Sequence, residues 1–198
     1  MKYPHAHIKN LVFSFKKYPV LYFRVPKVAS TSLLITFRKV DEVEKVEEYQ
    51  KYPTYNSYFK FAFVRNPFDR LASCFRHVIQ KGSLQNIQED PRLHKNMSFE
   101  SFVDVVGSIK VENMDIHFRP QHTFIPETLD YIGKFECLND DYAKLLQKTG
   151  IKEPKDGLLH KNKTDKTDFK KYYNEMIIQK VITIYKKDFE LFEYKKTL

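Results

Sequence analysis

Val20-Leu21-Tyr22-Phe23-Arg24-Val25-Pro26-Lys27-Val28-Ala29-Ser30-Thr31-Ser32 decides how this chain is read. Its first six residues, VLYFRV, are rich in β-branched and aromatic side chains, and the run is short enough for a strand. Near-continuous apolar character fits a strand buried on both faces of a parallel sheet. Pro26 then turns the chain, and a hydroxyl-rich run leads into a helical stretch over Thr31–Arg38. The same grammar returns at Phe59–Val64 (FKFAFV), with a turn through Pro67 and a helix expected over Phe68–Lys81. Strand, proline turn and helix, twice over, point to an α/β fold with a central, mainly parallel β-sheet flanked by helices.

Further elements follow by the same rules. Ser98 is placed to cap a helix running through Phe102, Val105 and Val106 towards Gly107. Tyr131–Phe135 reads as another short strand. Asn139 or Asp140 can cap a helix ending near Gly150, where a left-handed C-terminal residue belongs. Asp168–Phe192 carries Tyr173, Ile177, Val181, Ile184 and Phe192 at helical spacing. Asp41–Gln50 reads as a solvated charged helix or loop, and 152–167 as a polar, lysine-dense loop. With no repeat and no low-complexity linker, residues 1–198 are expected to form a single domain.

Composition narrows the function. The chain has 198 residues, 42% of them hydrophobic and 30% charged, which suits a globular protein with a real core. Lys and Arg number 34 against 25 Asp and Glu, a formal net charge of +9 that implies an anionic partner. Only 5 residues are glycine, the first being Gly82, so neither G-x-G-x-x-G nor G-x-x-x-x-G-K-[ST] is present. Rossmann enzymes and ordinary P-loop NTPases are thereby disfavoured. Cys74 and Cys137 have no metal or disulfide spacing, and His5-x-His7 and the His117/His122 pair make no metal site. Residues 1–10 lack a signal-peptide apolar core, and no apolar run nears the roughly 18 residues a membrane span needs. A cytoplasmic chain with no integral membrane segment is the resulting expectation.

Ligands of open α/β sheets bind beyond the carboxyl ends of the strands, and both loops expected there are basic and hydroxyl-rich. In the first, Lys27 precedes Ser30, Thr31 and Ser32 at a helix N-terminus, a natural anion site. From the segment alone, a surface loop whose Ser and Thr merely cap the helix reads equally well. In the second, Phe63-Val64-Arg65-Asn66-Pro67-Phe68-Asp69-Arg70-Leu71-Ala72-Ser73, Arg65 and Ser73 form a fork and a hydroxyl suited to a terminal phosphate. Arg70 reads as structural, paired with an acidic neighbour; Arg76 and His77 read as surface positions.

PKVASTS (26–32) and FVRNPFDRLASCFR (63–76) together resemble the two cofactor motifs of the carbohydrate sulfotransferases that use 3′-phosphoadenosine 5′-phosphosulfate, PAPS. His117-Phe118-Arg119-Pro120-Gln121 and Tyr131-Ile132-Gly133-Lys134-Phe135-Glu136 are similar to later family stretches. So are His160-Lys161-Asn162-Lys163-Thr164 and Tyr185-Lys186-Lys187-Asp188-Phe189-Glu190-Leu191-Phe192. The resemblance implies a fold like that of P-loop nucleotide kinases and transfer of a sulfuryl group from PAPS to a carbohydrate hydroxyl, without a metal. It implies that Lys27 neutralises the bridging oxygen of the leaving phosphate. Val28, Ala29, Ser30, Thr31 and Ser32 would hold the 5′-phosphate, and Arg65 and Ser73 the 3′-phosphate. Lys161, Asn162 and Lys163 would close over the nucleotide, although a solvated charged loop explains them too.

His117 is the first candidate for the base that deprotonates the acceptor, since it opens the H-x-x-P-Q stretch and histidine suits neutral pH. A structural histidine is the competing reading, and Asp115, His122 and Glu136 are weaker candidates. No histidine lies between His7 and His77, so a base just before the second motif, as in some uronyl sulfotransferases, would be another residue type. Two other functions compete. A nucleotide kinase lacks its Walker lysine and an evident magnesium carboxylate here, and a nucleic-acid-binding module lacks any RNP, zinc-finger or KH pattern. The expected partner is a carbohydrate acceptor (polysaccharide, oligosaccharide or glycolipid), not nucleic acid; oligomeric state is left open.

Overall fold

The computed structural model describes residues 11–80, 90–159 and 168–198. The chain divides into two compact units, one from residues 1–64 and 123–163, the other from 65–122 and 164–198.

The first unit is built on a five-stranded sheet of β1 (Val12–Phe15), β2 (Val20–Phe23), β3 (Val43–Val46), β4 (Phe59–Val64) and β5 (Tyr131–Lys134), in the order β3-β1-β2-β4-β5. β2 and β4 form where the apolar runs predict, and β2, β4 and β5 are parallel. β1 runs antiparallel to both its neighbours, β2 and β3, so the sheet is mixed rather than mainly parallel. The expectation fails at β3 in particular, which lies inside the supposedly solvated stretch 41–50. Val43 and Val46 are buried while Glu44 and Lys45 face solvent, and so short an edge strand has too little apolar signal to be read.

Aromatic packing holds this unit together. Tyr22 stacks on Phe61 at 4.9 Å, and Phe37 of helix α1 (Ser30–Phe37) meets both edge-on. Helix α4 (Leu138–Thr149) adds Tyr142 to the same cluster. The other face carries Val12, Leu21, Phe23 and Ala62, covered by Tyr49, Tyr55, Tyr58, Ile125 and Leu129. Gly150 takes φ 71° after α4 as anticipated, but Asn139 and Asp140 lie inside the first turn of α4, and its N-cap is Cys137. Early acidic residues still favour a helix N-terminus without capping it.

Gly133 pairs with Phe63 across β4 and β5, and the Phe63 ring occupies the space above its Cα. A Cβ there would lie 2.3 Å from Phe63 Cε1. Gly133→Ala is therefore expected to destabilise the protein by about 1–3 kcal/mol. The melting temperature should fall by roughly 3–10 °C, and an unchanged value in calorimetry would refute this packing.

The second unit is helical: α2 (Pro67–Phe75) continuing into a π-turn at Arg76–Gln80, α3 (Phe99–Ser108), α5 (Glu175–Ile184) and α6 (Lys186–Leu191). Asn66 caps α2 and Ser98 caps α3, the latter as predicted. Phe68, Leu71, Phe75, Phe102, Val106, Phe118, Val181, Tyr185 and Phe189 form its core. Residues 168–192 do not make the one helix expected. Asn174 caps a new start by accepting from Ile177 N, and Tyr185 breaks the run at φ −109°, ψ 24°. That break lets the buried Tyr185 hydroxyl donate to the Phe118 carbonyl at 2.6 Å and turns Asp188 inward. Among the described residues, no helix is long and apolar enough to cross a membrane.

Candidate functional site

In the first unit the chain leaves β2 through Arg24–Ala29 and enters α1. Pro26 and Val28 are buried, and Lys27 and Ala29 are half-buried. Lys27 (φ 70°) and Ala29 (φ 60°) both adopt left-handed backbone. Such a conformation costs a non-glycine residue on the order of 1–3 kcal/mol and persists only where its surroundings enforce it. A turn usually built from glycine is thus made here from lysine and alanine.

Helix α1 starts at Ser30 with no side-chain cap and no acidic residue in its first turn. Its amino end therefore keeps the partial positive charge of uncapped N–H groups. The N-cap is Ala29, so Ser30 and Thr31 stand as the first helical residues rather than as its cap. They accept from Arg24 instead, Nε to Ser30 Oγ at 3.2 Å and Nη2 to Thr31 Oγ1 at 3.3 Å. Lys27, the helix amino end and the Arg24 guanidinium supply positive charge along one short loop, and the hydroxyls of Ser30, Thr31 and Ser32 supply donors. This donor set fits the phosphosulfate group that the sequence motif implies. Arg24 is the residue to which sequence reading attaches no role; its signal is its position at the strand end, six residues before the hydroxyl run begins at Ser30.

β4 lies beside β2 in parallel, with Phe23 opposite Ala62, so the chain leaves both strands at the same edge of the sheet. In the second unit, the first residue is Arg65. Its guanidinium is buried and gives both Nε and Nη2 to one oxygen of Asp69, each at 2.8 Å. Arg76 Nη2 lies 4.0 Å from the other oxygen. Two buried guanidinium groups thus face one carboxylate, an arrangement that concentrates charge-assisted donors at the end of β4. Arg76, expected at the surface, is 8% exposed, because Asp69 draws it in; His77 is half-buried. Ser73 is buried in α2. Arg70 is fully buried and structural, giving Nη1 to the Arg119 carbonyl at 2.9 Å; burial lowers its pKa, opposed by Tyr185 and Asp188 nearby.

Two histidine–carboxylate pairs stand in this unit. Asp115 Oδ1 contacts His117 Nδ1 at 2.7 Å and also accepts from His117 N at 2.8 Å. His122 Nδ1 lies 2.7 Å from Asp188 Oδ1. In each, a carboxylate accepting from Nδ1–H places the neutral ring's basic lone pair on Nε2. The His77 ring lies 6.2 Å from that of His117. Glu136 is exposed in a 3₁₀ turn of the first unit, and Lys161, Asn162 and Lys163 lie outside the described residues.

The sequence profile of the sulfotransferase family matches residues 11–195. The chain belongs to that family. It is 28% identical over 171 residues to carbohydrate sulfotransferase 10 of Xenopus laevis, covering 71% of this chain and 48% of the relative. The Homo sapiens and Gallus gallus proteins of the same name are each 27% identical, over 170 and 168 residues. Those matches cover 71% and 70% of this chain, and 48% and 47% of the relatives. The chain thus spans about half the length of the curated relatives it matches. No solved structure matches it significantly. Sequence reading attaches no role to Asp69, Gln121 and Asp188, although each lies inside a motif it quotes.

Proposed function

We propose that the chain transfers the sulfuryl group of PAPS to a hydroxyl of a carbohydrate by in-line displacement. One observation carries this reading: a basic, hydroxyl-lined loop at the carboxyl end of β2, held in left-handed backbone at Lys27 and Ala29, opening an uncapped helix. Membership of the sulfotransferase family and likeness to carbohydrate sulfotransferases support it.

PAPS supplies the activated sulfuryl group and the leaving phosphate. Lys27 places an ammonium where negative charge grows on the bridging oxygen, which favours the transition state over the ground state. The N–H groups from Val28 to Ser32 and the hydroxyls of Ser30, Thr31 and Ser32 bind the 5′-phosphate, with Arg24 orienting two of those hydroxyls. Arg65 and Ser73 bind the 3′-phosphate, with Asp69 holding the Arg65 guanidinium in place. Lys161, Asn162 and Lys163 close on the nucleotide. His117, its Nδ1 held by Asp115, takes the acceptor proton on Nε2 as the hydroxyl oxygen attacks.

The test is transfer of labelled sulfate from PAPS across a panel of polysaccharides, oligosaccharides and glycolipids. Label in a glycan, with one 3′-phosphoadenosine 5′-phosphate (PAP) formed per sulfate, is the expected result. Label passing only to peptide or small phenolic acceptors in the same assay would overturn the carbohydrate assignment.

A further inference from the structure

The second unit contains a buried hydrogen-bond relay that ends on the backbone of Arg65. Asp188 of α6 is 0% exposed. Its Oδ2 accepts from Gln121 N at 2.7 Å, while its Oδ1 accepts from His122 N at 2.9 Å and contacts His122 Nδ1. The carboxylate thereby fixes both peptide groups that flank the Gln121 side chain. That side chain, also 0% exposed, pairs with Arg65 as a neighbouring strand would. Gln121 Oε1 accepts from Arg65 N at 2.9 Å, and Nε2 donates to Arg65 O at 2.8 Å.

Arg65 sits between the last residue of β4 and the Asn66 cap of α2, where a strand ladder has ended and a helix has not begun. Backbone polar groups at such a junction have no partner from regular structure and need one when buried. The Gln121 amide supplies both partners at once, and a buried amide holds one orientation because flipping it would set two donors and two acceptors face to face. The guanidinium that leaves this fixed backbone is then aimed by Asp69.

We infer that Asp188 is a positioning residue: acting through Gln121, it sets the direction of Arg65 and hence the preference of the site for a nucleotide bearing a 3′-phosphate. The inference rests on the reading of Arg65 as the 3′-phosphate ligand. It adds that this selectivity is controlled from α6, by a carboxylate that itself touches no nucleotide.

The test is calorimetric titration of the full chain with PAP and with AMP, which lacks the 3′-phosphate. Asp188→Asn retains shape but sets an amide donor against an N–H. It is expected to weaken PAP binding by about tenfold, the worth of one charge-assisted hydrogen bond, while AMP binding stays within about twofold. Gln121→Met cuts the relay one link later and leaves the carboxylate in place, so it should give the same selective loss if Asp188→Asn fails to fold. Combined with Arg65→Ala, either change should add nothing further to the loss of PAP binding. Equal losses for PAP and AMP, unchanged PAP binding, or additive losses in the double variant would overturn the inference. A parent chain that binds PAP and AMP equally would instead overturn the reading of Arg65 itself.

Discussion

Replacing Lys27 with alanine is expected to lower the rate of sulfuryl transfer by about 10²–10³-fold, the range for removing one preorganised charge from a developing oxyanion. PAP binding should fall by no more than about tenfold, because the helix N–H groups, Ser30, Thr31, Ser32 and Arg24 remain. The backbone makes this comparison clean. Lys27 stands at φ 70°, and alanine meets the same left-handed penalty as lysine, so the exchange removes the amine without adding new strain. Steady-state rates at saturating PAPS, set beside a PAP titration, separate the two effects. Rates near those of the parent chain would remove Lys27 from the chemistry.

The second large effect is expected at His117. Without a group to take the acceptor proton, transfer should drop by about 10²–10⁴-fold while nucleotide binding is unchanged. The geometry explains why this histidine can serve. Asp115 holds both its peptide N–H and its Nδ1, which orients the ring and leaves Nε2 as the basic atom. Asp115→Asn should therefore also slow transfer, by a smaller factor, through the wrong tautomer rather than through loss of binding. His117→Ala working at the parent rate would show that the base lies elsewhere. The His122–Asp188 pair would then be the next to examine, having the same bonding at Nδ1.

Much of this arrangement can be read from residue order. The apolar runs at 20–25 and 59–64 each end in a basic, proline-containing loop, and those features alone locate two parallel strands and the helices after them. The unread parts share a cause. β3 exposes Glu44 and Lys45 between two buried valines, so its edge position hides its period. Arg76 and Asp188 are charged residues in helical patterns, where charge ordinarily marks the solvent side. They are buried because Asp69 and the N–H groups of Gln121 and His122 meet them, and those partners come from the fold. The left-handed loop at Lys27 and Ala29 is likewise invisible in a sequence without glycine there, since tertiary packing rather than local preference enforces it.

One binding measurement goes most directly to the claim that this is a PAPS site. Calorimetric titration of the chain with PAP, AMP and ATP should show PAP bound about 100-fold more tightly than AMP, the gain from a multiply hydrogen-bonded 3′-phosphate. ATP should bind no better than AMP, and Arg65→Ala should erase the preference for PAP. Equal affinities for all three nucleotides would contradict the account.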